Sequence, residues 1–236
     1  MRIAIIGTGY VGLVSGACFS EFGHDVVCVD ADQPKIALLN QGIIPIYENG
    51  LEDLVKKNKS AGRLSFTCDL KSAISGCEAV FIAVGTPSKR GDGHADLSYL
   101  YQAVMDIAPF LEQQTIVLTK STVPVGTNRH IKALLRKERP DLDFHIVSNP
   151  EFLREGAAIS DFMRPDRIVI GHESDFAKEV MSRLYRPLYL IETPIVFTNL
   201  ESSELSKYAS NSFLATKITF MNEMANMCEQ IGADIH

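Results

Sequence analysis

Three groups of residues have the types and spacing to do chemistry. The first is Gly7-Thr8-Gly9-Tyr10-Val11-Gly12, with Asp30 closing the next apolar run. In this pattern Gly7 allows a tight turn, Gly9 lets backbone approach a diphosphate, and Gly12 lets the following helix pack closely. Tyr10 precedes and Val11 opens that helix, whose N-terminus offers free N–H groups and a partial positive charge to anionic oxygens. A carboxylate at Asp30 would accept hydrogen bonds from a ribose diol and repel a 2′-phosphate, which favours NAD over NADP. Lys35, one helical turn further on, would reach the adenosine end or stand as an ordinary solvated lysine.

The second group is a pair of short loops, Gly85-Thr86-Pro87 and Ser121-Thr122-Val123-Pro124-Val125-Gly126. Each follows an apolar run and offers hydroxyls and backbone amides at the strand ends where open α/β sheets bind ligands. They also read as simple turns. The third group is Asn149-Pro150-Glu151-Phe152-Leu153-Arg154-Glu155-Gly156 together with Glu204, Lys207 and Asn211. If residues 151–155 are helical, Glu151 and Glu155 share a face, and two close carboxylates push one pKa up to give an acid/base. The plainer reading has one of them capping a helix or pairing with Arg154. Spacings of three and four put Glu204, Lys207 and Asn211 on one helical stripe. There a lysine can stabilise an oxyanion and an asparagine can orient a hydroxyl, unless the stripe is a solvated face.

The elements that must position these residues alternate. Short apolar runs at 2–6, 26–29, 64–67, 79–84, 115–118, 144–147 and 167–170 read as strands. Several lack polar alternation, as strands buried on both faces do. Helical periods cover 11–22, 34–41, 51–59, 97–111, 127–139 and 176–186, with Asp32 and Asp96 as N-caps. Such alternation predicts an α/β fold, a Rossmann-type doubly wound, mostly parallel sheet. Residues 200–231 contain neither Gly nor Pro and read as one long connecting helix leading out of a dinucleotide-binding domain of residues 1–199.

Composition narrows the classes. The net charge of -6 argues against a nucleic-acid or anionic-membrane binder. With 46% hydrophobic and 22% charged residues, the chain has an ordinary globular mixture rather than a disordered one. No run is apolar and long enough for a membrane span, and the N-terminus lacks the features of a signal peptide. The expectation is a soluble cytoplasmic protein. Cys18, Cys28, Cys68, Cys77 and Cys228 form no CxxC pair, so no zinc or other metal site and no disulfide framework is expected.

Occurring together and in this order, these motifs make the whole chain resemble the N-terminal half of the UDP-glucose/GDP-mannose dehydrogenase family. Residues 151–156 and 91–97 are closer to its UDP-glucose members than to those acting on UDP-N-acetylmannosamine. The resemblance implies oxidation of the C6 alcohol of UDP-glucose to a carboxylate, with two NAD reduced and a cysteine trapping the aldehyde as thiohemiacetal and then thioester. Gly85, Thr86 and Pro87 join Gly7–Gly12, Asp30 and Lys35 on the cofactor side; carried over by motif, Thr122 would lie near the nicotinamide and Glu155 near the cofactor. Thr122 would position a water and Glu155 would be the acid/base. Glu151, Phe152, Leu153 and Arg154 would line the substrate, Lys207 would stabilise oxyanions, and Asn211 would hold a hydroxyl or the water. The family's cysteine sits in a glycine-rich loop beyond the long helix, and no cysteine here matches it. The chain is therefore expected to bind NAD without turnover and to lack the UDP-binding domain, with homodimerisation through the long helix. GDP-mannose oxidation, a 6-phosphogluconate or β-hydroxyacid dehydrogenase, and a non-enzymatic NAD-binding module remain the alternatives.

Overall fold

The computed structural model describes residues 1–89, 91, 93–189 and 192–235, so Asp92 of the 91–97 motif lies outside the described residues. One eight-stranded sheet has the order β3-β2-β1-β4-β5-β6-β7-β8. Its strands are β1 (Arg2–Ile6), β2 (Asp25–Val29), β3 (Leu64–Thr67), β4 (Ala79–Ile82), β5 (Thr115–Thr119), β6 (Phe144–Ser148), β7 (Ile168–Gly171) and β8 (Ile195–Thr198). Strands β1 to β6 are parallel. Strand β7 meets β6 antiparallel through Ser148 and Gly171, and β8 runs parallel to β7.

Both faces of the sheet are buried because successive side chains alternate between two cores. Ile3, Ile5, Cys28, Phe81, Ile116 and Leu118 enter one. Ala4, Ile6, Val27, Val29, Val80, Ile82 and Val117 enter the other. That is why the apolar runs show no polar alternation. The first core is covered by α1 (Tyr10–Glu21), α3 (Leu51–Ser60), α7 (Ala158–Met163) and α8 (Asp175–Leu184). Phe19 of α1 lies at its centre, with ring centroids 5.0 Å from Phe81, 4.9 Å from Phe162 and 5.4 Å from Tyr185. The second core is covered by α4 (Leu70–Ile74), α5 (Ser98–Ile107) and α6 (Thr127–Glu138).

Asp32 caps α2 (Gln33–Asn40) by accepting the Lys35 N–H at 3.0 Å, as the sequence predicts. Asp96 accepts the Ser98 N–H at 3.0 Å, so α5 starts one residue later than predicted, and it ends in a 3-10 turn at Ala108–Phe110. The short elements α4, α7, α9 (Arg186–Tyr189) and β8 are not among the predicted ones.

The long helix α10 spans Leu200–Ile231, capped by Asn199, whose Oδ1 accepts the Ser202 N–H at 2.8 Å. Only Leu200, Ser203, Glu204 and Lys207 are buried. Its first turn sits so close to β7 that a Cβ on Gly171 would stand 2.7 Å from the Asn199 carbonyl oxygen. From Asn211 onward the helix is mostly exposed, including Phe213, Ile218, Met221 and Ile231. Among the described residues no helix is long and apolar enough to cross a membrane.

Candidate functional site

Strands β1, β4, β5 and β6 are neighbours, and the chain reverses its direction of winding between β1 and β4. The loops leaving their C-terminal ends are Gly7–Gly12, Gly85–Pro87, Ser121–Gly126 and Asn149–Gly156, so they line one edge of the sheet, where α/β sheets of this kind bind ligands. The Gly7 N–H donates to the Val29 carbonyl at 2.7 Å. Gly7 has φ +101°, and a Cβ there would meet the Ala83 carbonyl oxygen at 2.7 Å, so the turn requires glycine. Gly9 is the N-cap of α1 and makes no side-chain cap, leaving the first-turn N–H groups facing outward. A Cβ on Gly9 would meet nothing within 4 Å. Among the described residues nothing requires glycine there for space, which fits a cradle for an approaching diphosphate.

Asp30 ends β2 beside this turn. Its Oδ2 accepts the Thr8 N–H at 2.9 Å, the Thr8 hydroxyl at 2.6 Å and Lys35 Nζ at 2.8 Å, while Oδ1 accepts the Asp32 N–H at 3.1 Å. Partial burial, the largest influence, raises its pKa, but the bonds from Lys35, Thr8 and Asp32 together hold the carboxyl down at about 2. Asp30 is thus ionised throughout the physiological range and stands as a fixed negative charge beside the glycine turn.

The next two loops are stitched together. Thr86 Oγ1 donates to the Thr122 carbonyl at 2.8 Å and Ser121 Oγ to the Val84 carbonyl at 2.7 Å. Behind them Glu204, buried on α10, accepts the Gly126 N–H, the Asn128 N–H and Asn128 Nδ2 at 2.7, 2.7 and 2.8 Å. A side chain of α10 therefore caps α6 and ties the Thr122 loop to the helix carrying Lys207. Removing it leaves two buried donors of Asn128 and the part-buried Gly126 N–H without this acceptor. Glu204→Ala is expected to cost about 3 kcal/mol, roughly 6–12 °C in melting temperature by calorimetry. Arg129→Ala, which loses only exposed pairs with Glu201 and Glu173, should shift it little. Equal shifts in the two variants would contradict this ranking.

Residues 151–156 are not helical, so Glu151 and Glu155 do not share a helix face. The reason is local: carboxylates take the backbone donors that a helix would use. Leu153 N–H donates to Glu151 Oε2 at 2.6 Å, Arg154 N–H to Asp161 at 2.9 Å, and Gly156 N–H to Glu48 at 2.8 Å. Glu151 pairs with Lys207 at 3.1 Å, both side chains nearly buried, and the Lys207 ammonium lies 5.4 Å from the Phe152 ring centroid. Arg154 pairs with Asp161 through two nitrogens, at 3.0 and 2.7 Å, rather than with either glutamate. Glu155 sits in an exposed turn, Thr122 is half-buried, and Asn211 is exposed one helical turn beyond Lys207. The structure thus brings Glu151, Phe152 and Lys207 into direct contact and leaves Glu155 and Asn211 on the open side.

A cavity of about 570 Å³ lies beside this pair, lined by Lys120, Asn149, residues 150–154, Phe162, Arg167 and Tyr185 among others. Lys120, the residue after β5, is buried there. Its Nζ lies 3.4 Å from Asn149 Oδ1, which also accepts the Tyr185 hydroxyl at 2.6 Å, and 5.5 Å from the Phe162 centroid. Burial lowers its ammonium pKa from 10.5 to about 8, with Glu151 opposing the shift and Lys207 adding to it. Between those values the unfolded chain binds more protons than the folded one, so this lysine makes stability rise with pH. Cys18, whose pKa burial pushes up to about 12, works in the opposite direction. The measure is therefore the difference between the parent and Lys120→Met in urea unfolding at successive pH values. The parent should gain on the variant from pH 8 to 10.5, and a flat difference would refute the assignment.

Sequence reasoning missed Lys120 and Glu48. Lys120 carried a signal, a lone charge at the end of an apolar strand on the ligand edge. Glu48 carried none, because its partners lie far away in the chain.

A glycine turn at the switch point of a doubly wound sheet, with an ionised aspartate at the end of the adjoining strand, defines a dinucleotide-binding protein of the Rossmann type. Residues 1–189 match the NAD binding domain of the UDP-glucose/GDP-mannose dehydrogenase family, and residues 201–236 match its central domain. The chain belongs to that family. It is 60% identical over 237 aligned positions to a UDP-glucose 6-dehydrogenase of Rhizobium meliloti, covering 100% of this chain and 54% of the relative. Among solved structures, a ternary complex of GDP-mannose dehydrogenase from Pseudomonas aeruginosa superposes with a TM-score of 0.94 at 38% identity, over 99% of this chain and 54% of that one. A UDP-glucose dehydrogenase from Pyrobaculum islandicum gives 0.93 at 38%, over 98% and 54%. The chain spans about half the length of the curated relatives it matches.

Proposed function

We propose that this chain supplies the NAD site and part of the sugar site of an enzyme that oxidises the C6 hydroxymethyl of UDP-glucose to a carboxylate. The observation that carries this reading is the nearly buried Glu151–Lys207 pair, set on the same sheet edge as the Gly7–Gly12 turn. A non-enzymatic NAD module has no use for such a pair. When bound, NAD accepts hydride from the carbon being oxidised. Gly7, Gly9, Tyr10, Val11 and Gly12 hold the pyrophosphate. Asp30 would hold the ribose diol, with Lys35 keeping its carboxylate in place. Gly85, Thr86, Pro87 and Glu155 would lie on the cofactor side, with Glu155 as the acid/base, and Thr122 would position a water near the nicotinamide.

On the substrate side Glu151, Phe152, Leu153 and Arg154 line the sugar, and Asn211 holds a hydroxyl or the water. Lys207 presents its ammonium to the oxygen that gains negative charge, and Glu151 fixes where that ammonium points. A thiol that traps the aldehyde is not among these residues. Cys18, Cys28 and Cys77 are buried in the cores, Cys68 follows β3, and Cys228 lies far along α10. The chain alone therefore binds NAD without turning over. The apolar residues exposed along α10 support a homodimer built through that helix, and the small-molecule chemistry suits the cytoplasm.

The test is stoichiometric. In a chain of the relatives' full length carrying these residues, two NADH per UDP-glucose consumed supports the proposal. One NADH per substrate, or activity confined to GDP-mannose or to a hydroxyacid, overturns it.

A further inference from the structure

Glu48 lies in the loop between α2 and α3, remote in sequence from every motif above, yet it is buried. Its carboxylate holds three donors from two separate segments. Oε2 accepts the Tyr10 hydroxyl and, at 2.8 Å, the Gly156 N–H, while Oε1 accepts the Ala158 N–H at 3.0 Å. Tyr10 belongs to the glycine turn, and Gly156 follows Glu155 directly. The Tyr10 hydroxyl also lies 3.3 Å from the Arg154 carbonyl oxygen, so the contact between turn and loop is centred on this phenol and this carboxylate.

We propose that Glu48 is a positioning residue that clasps the Glu155-bearing loop to the dinucleotide turn, so that cofactor occupancy and loop geometry are coupled. The inference rests on the NAD and Glu155 assignments proposed above. Residues 151–156 have no helix to hold them, and their backbone donors are satisfied by carboxylates from outside the segment as well as by Glu151. Of those, Glu48 is the one that also grips the cofactor turn. Whatever seats Tyr10 and the first turn of α1 against the diphosphate therefore bears, through one side chain, on the backbone beside Glu155. A carboxylate suits the task because all three partners donate. A carboxamide turns one of the two oxygens into a donor and leaves either Gly156 or Ala158 facing another N–H.

Two measurements test this. In the full-length protein, Glu48→Gln should lower kcat about 10- to 100-fold with the KM for NAD changed less than about threefold, since misplacing a loop by a fraction of an ångström affects turnover more than binding. Tyr10→Phe, which removes the hydroxyl shared between Glu48 and the Arg154 carbonyl and keeps the ring, should lower kcat in the same direction by a smaller factor. The double variant should fall short of the product of the two. A kcat retained within about twofold in both variants, whatever the melting temperature, makes Glu48 a structural support only and overturns the proposal.

On the 236-residue chain itself, NAD should slow amide exchange at Gly156 and Ala158 in the parent and do so less in Tyr10→Phe. If NAD leaves these two amides unchanged, the coupling is absent. If NAD protects them while the full-length parent oxidises no nucleotide sugar, the coupling stands and only the assigned reaction falls.

Discussion

Gly12→Ala should cost this chain a large share of its folding stability. A Cβ at this position would stand 2.0 Å from the Gly7 carbonyl oxygen, 3.0 Å from its carbon and 3.3 Å from Ala83 Cβ. The first two are backbone atoms of a turn that cannot yield, because Gly7 is itself pressed against Ala83 at a positive φ. The alternative is to move α1, but Leu13, Val14, Ala17, Cys18 and Phe19 pack that helix into the larger core with no exposed surface. Overpacking against movable side chains costs about 1–3 kcal/mol, and this collision with backbone should exceed about 4 kcal/mol. Since domains are stable by only about 5–15 kcal/mol, a loss of that size removes a large share of the total and should lower the melting temperature by more than about 8 °C. Thermal unfolding followed by circular dichroism decides it, and a variant melting within a few degrees of the parent would contradict the expectation.

Gly9→Val should do the opposite. Its Cβ enters open space, and φ -68° with ψ -173° is extended backbone that any residue adopts. The loss of a favourable N-cap residue should cost no more than about 1 kcal/mol. NAD affinity should fall at least about 100-fold, because the isopropyl group fills the space left for the diphosphate and blocks the free N–H groups behind it. Titration calorimetry with NAD on the 236-residue chain measures the loss, and the melting temperature of the same sample measures the fold. A variant that binds NAD as tightly as the parent would mean that the diphosphate does not lie on this turn. The two glycines, three residues apart, thus separate what the fold needs from what the ligand needs.

How much of this could be read from the sequence depends on how far apart the interacting residues are. Strands β1 to β6 and the bounds of α10 are legible because each is set by local apolar runs and by breakers, such as Gly232 at φ +72°, which ends α10. Strand β8 is half-exposed and four residues long, and the reversal between β6 and β7 has no local mark at all. The Glu151–Glu155 segment shows the limit most clearly. Its four-residue spacing suits a helix, but Asp161 and Glu48 capture the amides a helix would use. Lys207 and Glu151, predicted on separate grounds, meet in one ion pair because α10 crosses the end of β6. Asn211 shares the stripe in sequence, yet by that turn the helix has already left the body of the protein.

The seating of α10 has a mechanical side. Its grip on the body is concentrated between Leu200 and Lys207, where Gly171, the α6 cap at Glu204 and the Glu151 pair all meet it. The stretch from Asn211 to Ile231 then projects as a stiff arm of roughly 30 Å. A tilt of about 5° at that seat sweeps the far end through about 3 Å. The clamp that carries Lys207 is therefore also a fulcrum, and small adjustments of the ion pair at the sheet edge are magnified along the arm to whatever that helix contacts.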